Sequence, residues 1–332
     1  MLTIQIKNWS NKVVAVINDI FSLQVENEVN KWWKLKILFP TEEWLQKEPV
    51  KKWYRISVAY WLKIWQVIKL FDGYITDVIV KTNQVEIDAE NRLSYLQRRI
   101  LRADKNYNWT ISNLIDTTFS ELNTTSILPI TLWLNDCQTV ITKDFKKWDS
   151  FYDIIKSCWQ VEKDLIVRVQ DGVLEVSKNT WKVLDGVWEY DVQNTRATNI
   201  ADWNWRDSMD NFYTYMLNDT DDINDDDFEE EYKLIFEKYD SEWSLTLPSW
   251  KAIPSVTVSR DTDWWDFDIW DRKNIRLNTW YEWLPLEYLW LIQSRKITID
   301  SRGGIKAEIK ISQEYKSDTN ILDLILVNLR KK

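Results

Sequence analysis

The sequence of 332 residues contains no histidine and only two cysteines, Cys137 and Cys158. Without histidine the chain lacks the commonest general base, the Ser-His and Cys-His nucleophile pairs and most kinds of zinc site. Two cysteines in different predicted elements indicate neither a disulfide framework nor a metal cage. Catalysis by carboxylates alone would need a paired constellation, and none is visible. We therefore expect no enzymatic activity, no catalytic residues, no cofactor and no metal.

Glycine is also scarce, because the chain has 5 glycines and 23 tryptophans. Ordinary proteins carry roughly 7% glycine, which for this length is about 23 residues. Tryptophan occupies places where turn chemistry favours glycine, as in residues 8–11 (NWSN), 31–34 (KWWK) and 263–266 (DWWD). We interpret most of the tryptophans as glycines encoded by UGA under an alternative genetic code. The alternative is a truly Trp-rich carbohydrate-binding module whose indoles stack on sugars.

Long apolar runs and an excess of basic charge are missing as well. No run reaches the length of a membrane span, and the first twenty residues lack the pattern of a signal peptide. The formal net charge of −9 disfavours a surface that grips nucleic-acid phosphates. A channel that lets DNA slide past would tolerate this acidity. We expect a protein that has no membrane span and is made in the cytoplasm, where it is kept or assembled into something larger.

Residues 1–90 have the sequence pattern of an all-β unit with short turns. Within them, the apolar run 67–80 is interrupted by Asp72 and Gly73, which predicts a turn between two strands of a meander. Asp88 then precedes a segment with apolar residues at helical spacing, which predicts a helix over residues 89–102.

Residues 91–186 have a mixed α/β pattern. Helices are predicted over residues 110–123 and 150–160, with Thr110 and Ser150 as N-terminal caps. The Asp-Gly pair that ends at Gly172 predicts a tight hairpin between two apolar strands. These residues form a compact α/β unit inserted into the chain.

Residues 187–316 return to the strand pattern, and the clearest hairpin surrounds residues 301–304 (SRGG). The acidic run 218–231 interrupts this unit. It fails as a calcium loop because Asp227 stands where a turn glycine is required, so we interpret it as a solvated loop. Residues 317–332 predict a C-terminal helix, which is either a packed tail or a docking element. Its apolar face includes Leu322, Ile325, Leu326 and Leu329.

When Trp is read as Gly, seven short sequence segments follow one another in a characteristic order along most of the chain. They are FDGYI at 71–75, EIDAENRLSYL at 86–96, N[W/G]TISNLI at 108–115, K[W/G]DSFYDII at 147–155, VQDGVLEV at 169–176, RDSMDNFYTY at 206–215 and DI[W/G]DRKNI at 268–275. In these segments and their order, the sequence resembles the tail hub proteins of tailed bacteriophages. That group includes baseplate hubs of contractile tails, late-control D proteins and siphophage tail proteins.

The resemblance implies a mainly β fold in which two tail-tube-like β-barrel domains (1–90 and 187–316) bracket the α/β insert (91–186). It implies a structural virion protein, a homotrimer whose six barrels form a pseudo-sixfold ring at the tail tip. This ring would join the tail tube to tail-tip or baseplate proteins and let DNA pass through its lumen. Besides the carbohydrate-binding module, a tail-associated cell-wall hydrolase using two carboxylates is an alternative function.

Overall fold

The computed structural model describes residues 1–42, 50–63, 65–125, 130–134, 137–162, 165–170, 172–178, 183–191, 200–206, 215–217, 223–224, 237–239, 255–260, 264–265, 267–278 and 287–312. The predicted C-terminal helix with its docking residues lies outside these ranges. Of the acidic run 218–231, only Ile223 and Asn224 are described.

The described chain is mainly β, as the sequence predicts. The strands before the first long helix are β1 (Leu2–Lys7), β2 (Val13–Ile17), β3 (Ser22–Glu28), β4 (Lys34–Pro40), β5 (Arg55–Lys63), β6 (Gln66–Val80), β7 (Gln84–Asn91) and β8 (Lys105–Thr110). Those that follow are β9 (Thr131–Leu134), β10 (Val140–Phe145), β11 (Leu165–Gln170), β12 (Val173–Lys178), β13 (Val183–Asp191), β14 (Asp202–Arg206), β15 (Tyr215–Leu217), β16 (Ile223–Asn224), β17 (Glu237–Tyr239), β18 (Ser255–Arg260), β19 (Arg272–Asn278), β20 (Glu287–Asp300) and β21 (Ile305–Ser312). The helices are α1 (Ser94–Gln97), α2 (Ile111–Thr125) and α3 (Phe151–Val161).

Within the described residues, strands from both ends of the chain join in one 13-stranded sheet. Its order is β14-β18-β21-β20-β3-β4-β7-β6-β5-β1-β2, with β19 pairing both β20 and β13. Strand β20 makes the connection between the two halves. Its first part pairs with β19, whereas residues Ser294 to Asp300 pair antiparallel with β3.

Buried and exposed residues alternate along the strands, and this alternation explains why the sheet packs one face against a core. In β3 and β4 every second residue is buried, so one face of each strand enters the core and the other stays polar. A single core cluster accordingly contains residues from both halves, including Ile4, Val25, Ile87, Ile297 and Ile309. Burying this shared apolar face stabilises both halves together.

Residues between β7 and β13 build a second core around α2 and α3. The predicted helices at 110–123 and 150–160 are confirmed by α2 and α3. Thr110 accepts a hydrogen bond from the backbone N–H of Asn113 at 3.3 Å. Ser150 and Asp153 form a reciprocal capping box at the start of α3. The hairpin of β11 and β12 is also present, with Gly172 at φ 83°.

The turn predicted at Asp72 and Gly73 is wrong. Strand β6 runs through both residues without a break, and Gly73 pairs with Ile56 on one side and Asn91 on the other. A Cβ at Gly73 would lie 2.1 Å from the carbonyl oxygen of Glu90. Glycine is therefore needed here for the close approach of two backbones, not for a turn.

The helix predicted over residues 89–102 is also wrong, apart from one turn. Asp88, expected to precede that helix, lies inside β7, where it pairs with Lys36. The only helix within residues 89–102 is α1, which has four residues. The apolar residues Leu93 and Leu96 are nevertheless buried in the second core, so their spacing reflects burial rather than a long helix.

Among the described residues, three tryptophans adopt the left-handed backbone conformation that glycine favours. Trp53, Trp148 and Trp270 have φ values of 71°, 85° and 79°. Each is the third residue of a four-residue turn, closed by hydrogen bonds from Tyr54 N to Lys51 O (3.2 Å), Asp149 N to Lys146 O (3.0 Å) and Asp271 N to Asp268 O (3.3 Å). A positive φ at this position is the requirement that puts glycine there in type II turns.

Other tryptophans pack in different ways. Trp264 and Trp290 are almost fully buried in the main core. Trp61 and Trp65 are exposed, and Trp65 lies in the turn between β5 and β6. The tryptophan positions therefore fall into distinct structural groups.

Candidate functional surface

The polar face of the large sheet presents a row of alternating charges. Strand register places Glu90 of β7 opposite Lys34 of β4, and Lys34 opposite Glu26 of β3. Glu26 in turn lies opposite Lys296 of β20, and Lys296 opposite Glu308 of β21. We call these five residues the charge ladder. It crosses five adjacent strands, three from the first half of the chain and two from the last.

A second polar row lies next to the ladder, two residues along each strand. It contains Asp88, Lys36, Gln24, Thr298 and Lys306 in cross-strand order. Between the two rows the surface forms a groove of about 380 Å³, lined by residues of β3, β4, β6 and β7. Adjacent opposite charges on one sheet face stabilise the pairing of their strands.

Contacts between side chains pair several of the charges on this face. Lys296 Nζ lies 3.7 Å from Glu26 Oε1, which also accepts a hydrogen bond from Gln24 Nε2 at 2.7 Å. Glu86 is bound by Lys36 and, at 3.2 Å, by Lys81. Each carboxylate in these contacts already has a cation or a donor beside it.

The pKa shifts agree with this pairing. The hydrogen bond from Lys36 lowers the pKa of Glu86, in spite of its partial desolvation. Asp88 behaves differently, because desolvation raises its pKa and the nearby carboxylates Glu86 and Asp77 add to that effect. Lys36 opposes the rise without cancelling it.

A separate ionic cluster lies where strands from both halves of the chain meet the hairpin of β11 and β12. A cleft of about 320 Å³ is lined by residues of both halves and of this hairpin, among them Asp72, Gly172 and Arg295. Arg55 donates two hydrogen bonds to Asp72, at 2.7 and 2.9 Å, and Lys69 a third at 3.2 Å. Burial raises the pKa of Asp72, but the hydrogen bond from Arg55 and the surrounding cations outweigh it, so the pKa is lowered.

Asp72, Asp268 and Asp271 line the cleft, and Asp72 is not suited to act as the general acid of the hydrolase alternative. A general acid needs a raised pKa, whereas that of Asp72 is lowered and its oxygens are occupied by cations. Among the described residues, no group of three or more Asp, Glu or Cys side chains is arranged to hold a metal ion.

The exposed tryptophans do not form a stacking platform in the described part of the chain. Trp9 and Trp65 lie in turns beside the large sheet and Trp61 on its strand β5, whereas Trp109 and Trp133 lie on two separate small sheets and Trp148 in the turn before α3. A carbohydrate-binding face needs several aromatic rings side by side on one surface.

Three strand edges of the large sheet remain open within the described residues. Strand β2 pairs only with β1, β14 only with β18, and β13 only with β19. An open edge presents unpaired backbone N–H and C=O groups that another chain can pair with. Val13 in β2 is a partly exposed apolar residue on such an edge.

No protein-family model matches the sequence, and no curated protein matches it. Solved structures do match over nearly the whole chain. A tail protein from Neisseria meningitidis MC58 is similar with a TM-score of 0.66 at 11% identity, covering 97% of this chain and 98% of that one. The chain has the fold of phage tail proteins.

Two further structures share this tail-protein fold. The 43 kDa tail protein of prophage MuSo2 from Shewanella oneidensis has a TM-score of 0.62 at 12% identity, with 93% of this chain and 96% of that chain covered. The E. coli c3393 protein is described as a type VI secretion component structurally similar to the T4 tail proteins gp27 and gp5. It matches with a TM-score of 0.51 at 10% identity, over 94% of this chain and 77% of its own.

The sequence alone predicts none of the surface features described above. The charge ladder consists of ordinary alternating Lys and Glu positions on separate strands, and only the register between β3 and β20 brings them into one row. The sequence-predicted docking residues Leu322, Ile325, Leu326 and Leu329 are outside the described residues. No helix among the described residues is long and apolar enough to cross a bilayer.

Proposed function

We propose that this chain is a structural hub protein of a phage tail, which forms a homotrimeric, pseudo-sixfold ring at the tail tip. The ring joins the tail tube to tail-tip or baseplate proteins and lets DNA pass through its lumen. The observation that carries this proposal is the large sheet, which two β-rich halves of the chain share through β3 and β20. Similarity to tail proteins over nearly the full length supports it.

The open edges β2 and β14 suit a ring. A head-to-tail contact, in which the β14 edge of one copy pairs with the β2 edge of the next, repeats with the same geometry and forms a closed trimer when the rotation between copies is a third of a turn. Backbone pairing between edges would hide the unpaired groups that make a free edge prone to aggregation. The protein would then be a virion component, located in the tail and assembled in the host cytoplasm.

The ring is tested by the mass of the purified chain in solution, measured by light scattering over a range of concentrations. We expect three times the monomer mass. Val13→Lys, which places a charge on the β2 edge, should shift the mass toward the monomer. The matched control is Val140→Lys, because Val140 is also an exposed valine on a strand but belongs to the insert. A monomer at every concentration, with no ring when tube protein is added, would refute the hub.

Localisation gives an independent test. Antibody labelling of purified virions should place the protein at the distal end of the tail. The C-terminal segment with Leu322, Ile325, Leu326 and Leu329 would dock a neighbouring tail-tip protein, so truncation after residue 316 should leave the trimer intact and remove that neighbour from the particle. Labelling of the head or of the host envelope alone would contradict the proposal.

Most tryptophans of this sequence would be glycines in the natural protein, with UGA read as glycine. Trp53, Trp148 and Trp270 support this interpretation, since all three have positive φ at the turn position that glycine favours. The buried indole nitrogens of Trp32 and Trp159 support it too, because neither has a hydrogen-bond partner in the described part of the chain.

Peptide mass spectrometry of the protein from native particles decides the matter position by position. Peptides that contain residues 53, 148 and 270 should have the mass of glycine at these sites. Peptides with Trp at all three sites would disprove the recoding and leave the hub proposal unaffected.

A further inference from the structure

The charge ladder lies on a face of the sheet that stays partly exposed among the described residues, with 38% of the Lys296 side chain and 45% of the Glu26 side chain accessible. The cores of protein interfaces are depleted in Lys and Glu, because burying such charges is costly. A face that carries Glu90, Lys34, Glu26, Lys296 and Glu308 in one row is therefore suited to contact with water. The groove of about 380 Å³ beside Glu26 and Lys34 adds room for solvent on the same face.

The ladder also offers little free positive charge. DNA binds to proteins mainly where Lys and Arg neutralise its phosphates and release counterions. Here both ladder lysines stand between two glutamates, Lys34 between Glu90 and Glu26, and Lys296 between Glu26 and Glu308. A phosphate at Lys296 would compete with Glu26, whose Oε1 lies 3.7 Å from Nζ, and a phosphate at Lys34 would approach Glu26 and Glu90 on the two flanking strands.

We propose that the charge ladder is the part of the sheet that faces passing duplex DNA, and that its glutamates keep Lys34 and Lys296 from binding phosphate. This inference rests on the proposed hub function and adds a mechanism to it. A purely acidic wall would repel DNA, and a basic one would hold it. Alternating charges do neither, since opposite charges on adjacent strands weaken each other's field and salt screens the remainder beyond about 8 Å at physiological ionic strength.

The first test measures binding of duplex DNA to the purified full chain as a function of salt. Glu26→Gln, Glu90→Gln and Glu308→Gln together remove the charges that flank both ladder lysines. We expect the wild type to retain no DNA at physiological salt. The triple variant should bind at least tenfold more tightly, with the slope of log affinity against log salt steeper by about 2, which corresponds to two additional phosphate contacts.

The control variant changes the net charge by the same amount as the ladder variant, but at positions scattered away from the ladder. Asp19→Asn, Glu42→Gln and Asp116→Asn remove three exposed carboxylates away from the ladder. This control should bind DNA as weakly as the wild type. If the control and the ladder variant gain the same affinity, net charge alone is responsible and the inference is overturned. Circular dichroism and the trimer mass establish that both variants are folded.

The second test uses assembled particles. Particles that carry the ladder variant should have normal tails but release their DNA several-fold more slowly, while the control variant should not change the rate. Unchanged release from ladder-variant particles overturns the inference and leaves the hub intact. Loss of a tail protein from these particles would show that the face binds protein and would also overturn it. Absence of the chain from wild-type virions would instead refute the hub itself.

Discussion

The side chain of Asn30 pairs with the backbone around Val167 as a neighbouring strand would. Its Oδ1 accepts a hydrogen bond from Val167 N at 3.0 Å, and its Nδ2 donates to Leu165 O at 3.1 Å. The hydroxyl of Tyr152 donates to the backbone oxygen of Asn30 at 2.8 Å. One residue in the turn after β3 thus links the sheet to both β11 and α3 of the insert.

Replacing Asn30 with glycine should loosen this link. Asn30 has φ 58°, which glycine also accepts, so Asn30→Gly removes the amide without straining the backbone. We expect a loss of about 1–2 kcal/mol in the free energy of unfolding, as is typical for two hydrogen bonds, and faster hydrogen exchange at the Val167 amide. Asn11→Gly is the control, because Asn11 has nearly the same φ of 59° and lies in the hairpin of β1 and β2. Equal effects of the two changes would show that the amide does not hold the insert.

Asp72 should make stability depend on pH in the acid range. Its pKa is lowered in the folded protein from the ordinary value of 3.8, so the unfolded chain takes up a proton at higher pH. The stability that Asp72 contributes is complete at pH values above the ordinary pKa of 3.8, and it is lost as the pH falls through the lower pKa of the folded protein. Asp72→Asn should cost about 2 kcal/mol at pH 7 and flatten the profile below pH 4.

Urea denaturation at a series of pH values measures this effect. Asp116→Asn, at an exposed carboxylate of α2, serves as the comparison and should leave the profile unchanged. A wild-type profile that runs parallel to that of Asp72→Asn below pH 4 would contradict the assigned pKa direction.

Trp148→Gly should stabilise the chain that carries tryptophan. Trp148 is 65% exposed, so little packing is lost, whereas its φ of 85° is costly for any residue with a Cβ. Relief of this strain should add about 1 kcal/mol to the free energy of unfolding. Trp9→Gly should give no gain in stability, because Trp9 is similarly exposed, at 67%, but is not among the described residues with a positive φ. Thermal unfolding of both variants distinguishes the two sites.

Gly73→Ala should destabilise the sheet because the new methyl group would meet a backbone atom. Its Cβ would lie 2.1 Å from Glu90 O, and neither strand can move without breaking its pairing. Overpacking of this kind costs about 1–3 kcal/mol. At Gly303 an added Cβ meets nothing within 4 Å but φ is 78°, so Gly303→Ala isolates the cost of backbone strain. A smaller loss at Gly73 than at Gly303 would show that the strands can separate there.

Local features of the structure can be predicted where neighbouring residues decide them. The capped helices α2 and α3 and the hairpins at Gly172 and Gly303 depend on side chains a few residues apart. The predictions at Gly73 and Asp88 are wrong because the surroundings of both residues come from other strands, β5 and β7 for Gly73 and β4 for Asp88, and not from the residues next to them in the sequence. A glycine between two backbones and a glycine in a turn look alike in the sequence.

The sequence by itself determined that this protein is mainly β, that two capped helices lie in its middle and that histidine chemistry is excluded. The excess of tryptophan at turn-like positions is likewise a property of the sequence alone. Only the tertiary structure decided that β3 pairs with β20, which merges the two halves into one sheet and aligns Glu26 with Lys296. Alternation fixes which face of a strand is polar, but the register between strands from opposite ends of the chain depends on the packing of the whole core.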